Sequence, residues 1–124
     1  MPVKLNHTIV HARDKAASAR FLSEILGLPA PVAFGPFMGV QVDNEVTLDY
    51  LETDEVLQIE HYAFLTSERE FDEIFGRIQA RGLAYWADPA LERPGEINRN
   101  DGGRGVYFRE PSDHLLEIIT RPYG

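Results

Sequence analysis

An internal repeat is the feature that most constrains the fold of this chain. His7 and His61 each lie in a predicted apolar strand, and glycine-leucine pairs begin 20 and 21 residues later, at Gly27 and Gly82. Between each histidine and its glycine, apolar residues recur at the spacing of an amphipathic helix of about 12 to 15 residues. Asp14 and the pair Thr66-Ser67 are the capping candidates before the two helices, and glycine is the usual helix stop. The chain is therefore predicted to contain two copies of one unit.

Alternating strands are predicted after each helix. In the first half they cover Phe37 to Val42 and Val46 to Leu51, and in the second half Gly105 to Arg109 and Leu115 to Thr120. His61 lies within a further predicted strand, from Leu57 to Leu65. Each half is predicted to have the order β-α-β-β-β, and the segments above are two of the three strands that follow each helix. This order predicts the α+β fold class, with paired βαβββ modules that form a curved, mixed or antiparallel sheet and helices on its outside.

Length and charge limit the domain organisation and the kinds of partner. A chain of 124 residues is expected to form one domain, with modules at about residues 1–56 and 57–124. The net charge of −8 argues against nucleic acid and anionic membrane surfaces as partners. No stretch approaches the roughly 20 apolar residues that span a bilayer. The first four residues lack the apolar core of a signal peptide, so we expect a cytoplasmic protein.

Two histidines and one glutamate predict a metal site. His61 follows His7 by 54 residues, and Glu117 follows His61 by 56. With no cysteine in the chain, His, Asp and Glu are the only strong metal ligands. Two imidazoles and one carboxylate with open positions suit several divalent metals, and non-haem Fe(II) oxygenases use this set. Fe(II), Mn(II), Zn(II) and Ni(II) all remain open.

Strand alternation places Tyr107 beside Glu117. If residues 110 to 114 form the last turn, Tyr107 lies opposite Glu117 and Arg109 opposite Leu115. Directly opposed residues of antiparallel strands point to the same face of a sheet. Tyr107 is therefore a candidate catalytic residue that donates a hydrogen bond or acts as a weak acid. The structural alternative is an aromatic residue that only packs in the sheet.

Asp49 is the counterpart of Glu117 in the first half. Thr47 to Tyr50 can be aligned with Leu115 to Ile118, and the two carboxylates then coincide. Aspartate is one methylene shorter than glutamate. Three interpretations are open for Asp49: a metal ligand, a residue that supports the ligands or binds substrate, or an ordinary strand carboxylate.

The segment from Ala87 to Gly103 is the long irregular part of the chain. Loops of such length inside a domain are often functional or mobile, so we expect it to border the cleft and act as a lid or as a contact for module exchange in a dimer. Arg99 and Arg104 are candidates for binding an anionic substrate, with a solvated turn as the alternative. His11 and His114 are predicted to be surface or loop residues.

Three segments resemble the vicinal-oxygen-chelate superfamily, which includes glyoxalase I, bleomycin-resistance proteins, fosfomycin-resistance enzymes and extradiol dioxygenases. They are Leu5-Asn6-His7, Glu60-His61-Tyr62-Ala63-Phe64 and the run from Gly105 to Ile118. In the closing run, Glu110 and Asp113 replace the family's usual Asp and Gly. The resemblance implies a divalent metal held by residues that match His7, His61 and Glu117, and it implies a homodimer. The residue that matches Asp49 is a fourth ligand, a glutamate, in glyoxalase I.

Three functions compatible with this resemblance remain open. The first is a metal-dependent enzyme for a small oxygenated metabolite, with ring-cleaving dioxygenase or glyoxalase-like isomerase chemistry. The second is a fosfomycin-type thiol transferase, although the tail from Arg121 to Gly124 has no place for the basic residues expected to hold a phosphonate. The third is a metal-free drug-binding protein of the bleomycin-resistance type. The retained set of three metal ligands argues against this third function.

Overall fold

The first helix begins and ends at its predicted capping residues. In the computed structural model, which describes residues 2–123, helix α1 spans Lys15–Leu26. The Asp14 side chain accepts a hydrogen bond from the backbone N–H of Ala17, which satisfies one free N–H of the first turn. Gly27 follows with a φ of 71°, a left-handed conformation that glycine adopts without steric cost.

The second helix, α2, spans Glu68–Ala80 and carries a capping box. The Ser67 side chain accepts a hydrogen bond from the backbone N–H of Glu70, and the Glu70 side chain accepts one from the backbone N–H of Ser67. Arg81 ends the helix, and Gly82 adopts a φ of 64° directly after it. Both predicted helices and their glycine stops are therefore confirmed.

Four strands form a mixed sheet in the first half of the chain. They are β1 (His7–Ala12), β2 (Val32–Phe34), β3 (Phe37–Gln41) and β4 (Thr47–Glu52). Their order in the sheet is β1-β4-β3-β2, with β1 parallel to β4 and the other pairs antiparallel. The chain passes through α1 between β1 and the later strands of the sheet. Parallel strands need such a crossover connection, and β1 and β4 are the parallel pair.

The second half repeats this topology. Its strands are β5 (His61–Leu65), β6 (Tyr85–Trp86), β7 (Gly105–Arg109) and β8 (Leu115–Ile119), in the order β5-β8-β7-β6. Strand β5 is parallel to β8, and the other pairs are antiparallel. The predicted α+β fold with two βαβββ modules is confirmed. The predicted strand from Leu57 was too long, because the observed strand begins only at His61.

The short strands β2 and β6 complete the sheets but were not located from the sequence. Their lengths of three and two residues are too short to establish an alternating pattern. The chain divides into two compact units, of which the first ends at Gln58 and the second begins at Ile59. Among residues 2–123, no helix combines the length and apolar character needed to cross a membrane.

In the first unit, α1 packs against β1, β3 and β4. The strand residues Val10, Val40, Leu48 and Tyr50 are fully or almost fully buried, as is Leu22 of α1. Because side chains alternate along a strand, the neighbouring residues face the opposite side of the sheet. That open face carries the candidate site residues of the first unit.

The segment from Ala87 to Gly103 is folded against its own unit by backbone hydrogen bonds. Isolated bridges pair Trp86 with Pro94 and Asn98 with Gly105. A short 3₁₀ helix, Asn100–Gly102, follows. These bridges and the short helix hold the backbone of the segment in a defined path. Its role at the cleft stays a prediction.

Candidate functional site

The strand register brings Glu117, His61 and Tyr107 together in the second unit. Tyr107 of β7 is paired with Glu117 of β8, and Arg109 with Leu115, so the predicted register of this hairpin is confirmed. His61 of β5 is paired with Leu115, two positions before Glu117 on the same face. Residues that are 56 positions apart in sequence thus become neighbours through one parallel strand pair.

Glu117 is a buried carboxylate, with only 1% of its surface exposed. Its Oε1 atom lies 3.1 Å from Nε2 of His61 and accepts a 2.6 Å hydrogen bond from the Tyr123 hydroxyl. The other ring nitrogen of His61, Nδ1, lies 3.1 Å from the backbone carbonyl oxygen of Leu115. Because a carbonyl oxygen can only accept, this bond requires the proton on Nδ1.

Tyr107 lies in the same cluster. Its ring stacks on that of His61, with centroids 5.8 Å apart and planes at 26°. Burial, together with hydrogen bonding to Tyr123 and Glu117, raises the pKa of Tyr107 far above its ordinary value. The hydroxyl therefore stays protonated around neutral pH and can act as a hydrogen-bond donor.

Tyr123 is a member of this cluster that was not predicted from the sequence. The hydrogen bond to Glu117 is the main cause that raises the pKa of Tyr123 above its ordinary value, and partial burial acts in the same direction. The residue lies in an irregular segment after β8, where neither periodicity nor spacing singles it out. Its only signal in the sequence is an aromatic residue six positions after the predicted ligand.

A pocket of about 110 Å³ borders Glu117. Tyr107 and Tyr123 line it, and the end of the long loop contributes Asn98 and Asn100. The loop therefore adjoins the predicted site within its own unit.

Arg104 also lines this pocket, but its guanidinium group already has partners. Its Nε atom lies 2.8 Å from a carboxylate oxygen of Glu68, and its Nη1 atom lies 2.8 Å from one of Asp72. The group also lies over the ring of Phe71, 4.4 Å from the centroid. These contacts tie Arg104 to the first turns of α2. Arg99, the other predicted substrate residue, is exposed directly before the 3₁₀ helix.

The first unit presents His7 and Asp49 on the open face of its sheet. His7 is exposed, and its Nδ1 atom lies 2.8 Å from the side-chain oxygen of Asn6. Asp49 of β4 is paired with Gly39 of β3, as Glu117 is paired with Tyr107. The register thus supports the alignment of Asp49 with Glu117.

The prediction for His114 was wrong, because this residue is buried rather than at the surface. Only 1% of its surface is exposed, and its Nδ1 atom accepts a 2.9 Å hydrogen bond from the backbone N–H of Glu60. Its ring meets that of Tyr62 edge to face. His114 thus helps to join the turn before β8 to the start of β5. His11 is exposed, as predicted.

His61 and Glu117 are the two predicted ligands that the structure brings together within one unit, while His7 belongs to the other unit. Within the described part of the chain, residues 2–123, no three His, Asp or Glu side chains are grouped closely enough to hold a metal ion.

Comparisons with known proteins give two close structural relatives. The structure of Oxidase ChaP-H1 is 66% identical, with 98% of each chain covered and a TM-score of 0.96. Oxidase ChaP-H2 is 61% identical over 100% of this chain and 98% of that chain, with a TM-score of 0.97. Glutathione transferase FosA of Serratia marcescens is 27% identical over 121 residues, which cover 92% of this chain and 78% of that protein. No family model matches the chain.

Proposed function

The chain belongs to the vicinal-oxygen-chelate superfamily, and from this premise we propose that it is a divalent-metal-dependent enzyme that oxidises a small oxygenated metabolite. The observation that carries the proposal is the convergence of His61 and Glu117 in the second unit. Ring-cleaving dioxygenase chemistry is favoured over glyoxalase-like isomerisation, because the two relatives above 60% identity are both named oxidases.

The contacts of His61 and Glu117 fit a bound cation. Two ligands that are each about 2.1 Å from one metal ion lie about 3 Å from each other, and these two atoms are 3.1 Å apart. With the proton on Nδ1, the Nε2 atom of a neutral His61 directs a lone pair towards a buried carboxylate. A cation relieves this repulsion and offsets the cost of burying the charge of Glu117.

The second hydrogen bond of His61 supports the same interpretation. Histidines that bind metals usually donate their other ring N–H to a carboxylate or a backbone carbonyl, which fixes the orientation of the ring. The contact from Nδ1 of His61 to the carbonyl of Leu115 is of this kind. The site therefore has a suitable ligand pair and a suitable support for the histidine.

We propose His7 as the third ligand, supplied by the same chain or by a second copy in a homodimer. Its place in the repeat matches that of His61, because His7 pairs with Thr47 as His61 pairs with Leu115. Two histidines and one carboxylate leave open positions for substrate oxygens, and iron, manganese, zinc and nickel all accept such ligands. A divalent ion held there supplies Lewis-acid chemistry for adjacent substrate oxygens.

The tyrosines have separate tasks in this proposal. Tyr123 donates a hydrogen bond to Glu117 and so fixes the orientation of the carboxylate. Tyr107 is protonated and stacked on His61, and its hydroxyl is hydrogen-bonded to Tyr123 and Glu117. In this proposal the hydroxyl turns to donate to a substrate oxygen when the substrate binds. This donor stabilises negative charge that develops on a substrate oxygen.

The two alternatives receive less support. The fosfomycin-type transferase rests on the 27% identity to FosA, far below the identity to the two oxidases. A metal-free drug-binding protein of bleomycin-resistance type does not account for the contact between His61 and the buried carboxylate of Glu117.

The experiment that tests the proposal is the metal content of protein purified without a chelator. We expect about one divalent ion per chain, which the variants His7→Ala, His61→Ala and Glu117→Gln lose. His11→Ala is the matched control, since it changes a histidine on the same strand as His7 and is expected to keep the metal. Wild-type protein without metal, or three ligand variants that all retain it, would refute the proposed site.

Oxygen uptake then separates the reaction classes. The metal-loaded protein is supplied in parallel with a catechol and with fosfomycin plus glutathione. Oxygen consumption with the catechol supports oxidation, whereas consumption of glutathione thiol with fosfomycin supports the transferase alternative.

A further inference from the structure

The turns before β4 and β8 have the same backbone bond but different side chains. In the second unit, the backbone N–H of Glu110 donates a 3.1 Å hydrogen bond to the carbonyl of His114. In the first unit, the backbone N–H of Val42 donates a 2.9 Å bond to the carbonyl of Val46. Because the first turn closes with valines at both positions, the backbone of this turn does not require a polar pair.

The polar pair of the second unit is buried and incompletely satisfied. Glu110 and His114 are only 3% and 1% exposed. The Oε1 atom of Glu110 accepts bonds from the backbone N–H groups of Ser112 and His114, at 2.6 and 3.1 Å. Within residues 2–123, its Oε2 atom has no hydrogen-bond partner. A buried polar atom without a partner costs stability, so the pair needs an explanation other than the stability of the turn.

His114 contacts both sequence neighbours of His61. Its Nδ1 atom accepts a 2.9 Å hydrogen bond from the backbone N–H of Glu60, and the ring of Tyr62 meets its ring edge to face. The carbonyl of Glu60 accepts a 3.0 Å bond from the backbone N–H of Leu115. The residue before His61 is therefore held at both of its backbone groups.

The matched histidine of the first unit lacks the side-chain acceptor and has a different partner. Val46 stands in the place of His114, and a valine side chain cannot accept a hydrogen bond. There, Nδ1 of His7 lies 2.8 Å from the side-chain oxygen of its own neighbour, Asn6. Nδ1 of His61 instead lies 3.1 Å from a backbone carbonyl oxygen of the paired strand β8. The side-chain acceptor thus accompanies the ring orientation that brings Nε2 of His61 to the buried carboxylate.

We propose that His114 is a positioning residue for His61: it fixes the backbone at Glu60 and so keeps the His61 ring beside Glu117. This inference rests on the proposed function, since it explains how one of the proposed metal ligands is held. His61 is the first residue of β5, so a bond to the residue directly before it limits the movement of the strand end. Partners that orient a metal ligand typically change the metal affinity by about 10- to 100-fold when they are lost.

The first measurement is the affinity for Zn(II) alone, by competition with a chromophoric chelator. His114→Phe keeps a ring and removes the acceptor, and it is expected to weaken zinc binding about tenfold or more. His114→Asn keeps an acceptor, because its Oδ1 atom takes the covalent position of Nδ1, and it should bind zinc like the wild type. Ile78→Val is the control for lost stability, since it shortens a fully buried side chain of α2 in the same unit and should leave the zinc affinity unchanged.

A second measurement needs no metal and separates this inference from the proposed function. In chelator-treated protein, nuclear Overhauser contacts report the stacking of His61 on Tyr107, whose ring centroids lie 5.8 Å apart. These contacts should be lost in His114→Phe and kept in His114→Asn and Ile78→Val. His114→Val, which introduces the residue of the other module, replaces His114→Phe if that variant does not fold.

The outcomes for the two proposals differ. A wild-type protein that binds no zinc, with ring contacts that change as expected, would refute the proposed function and leave the role of His114 standing. Unchanged ring contacts in the variants without an acceptor, or an equal loss of these contacts in His114→Asn, would overturn the role of His114.

Discussion

Replacing Asn98 by alanine should destabilise the second unit through the loop that ends beside Glu117. Asn98 is 6% exposed, and its side-chain Nδ2 donates a 2.8 Å hydrogen bond to the backbone carbonyl of Ala87. Its side-chain oxygen accepts a bond from the backbone N–H of Asn100 at 3.2 Å. The side chain thus connects the beginning of the loop to its end, 11 residues later.

The magnitude follows from the groups that Asn98→Ala leaves without partners. A hydrogen bond contributes about 1 kcal/mol net, and a buried acceptor left unsatisfied costs about 1 to 3 kcal/mol. The carbonyl of Ala87 is such an acceptor, since its residue is 2% exposed. We therefore expect a loss of about 2 kcal/mol in the free energy of unfolding. For a chain of this size the melting temperature should fall by roughly 8 °C.

The assay is urea denaturation followed by the fluorescence of Trp86, the single tryptophan of the chain, which adjoins the loop. Asn100→Ala is the matched control, because it keeps the backbone N–H and changes an exposed side chain. Its free energy of unfolding should stay within about 0.5 kcal/mol of wild type. Equal denaturation midpoints for Asn98→Ala and Asn100→Ala would refute the role assigned to the Asn98 side chain.

Two further predictions concern Tyr107 and Glu68. Tyr107→Phe should keep the fold and the metal but lower turnover by about 10²-fold, measured as oxygen uptake, and undiminished turnover would contradict its role as a donor. Hydrogen bonds from Thr120 and Arg104 lower the pKa of Glu68 below its ordinary 4.5, so its stabilisation is present above that pH and lost as the pH falls through the lowered value. Glu68→Gln should therefore be less stable than wild type at pH 7 and indistinguishable from it in acid, as measured by urea midpoints across that range.

The parts of the fold that could be predicted are those fixed by local chemistry. Asp14 and Ser67 start the helices because their side chains accept bonds from free backbone N–H groups, and Gly27 and Gly82 follow because they adopt positive φ. These signals act over a few residues. The pairing of Tyr107 with Glu117 was also predictable, because a short turn between two strands fixes their register.

The parts that could not be predicted depend on contacts between distant residues. Tyr123 reaches Glu117 from an irregular segment whose path no pattern encodes. His114 was placed at the surface because it lies at a strand end, but it is buried, and its Nδ1 atom accepts a bond from the backbone N–H of Glu60. Arg104 was chosen for its charge, and only the structure reveals that Glu68 neutralises it. Local sequence patterns do not report such partners.

The repeat helps to explain how one backbone can carry two different sites. Both modules share the same strand order and the same register around Asp49 and Glu117, so the differences between their sites arise from side chains. Tyr107 stands beside Glu117 and stacks on His61, and the pocket there is about 110 Å³. Gly39 stands beside Asp49, and the cleft there, which His7 also lines, is about 520 Å³. The residue at this single matched position therefore decides how much space remains above each carboxylate.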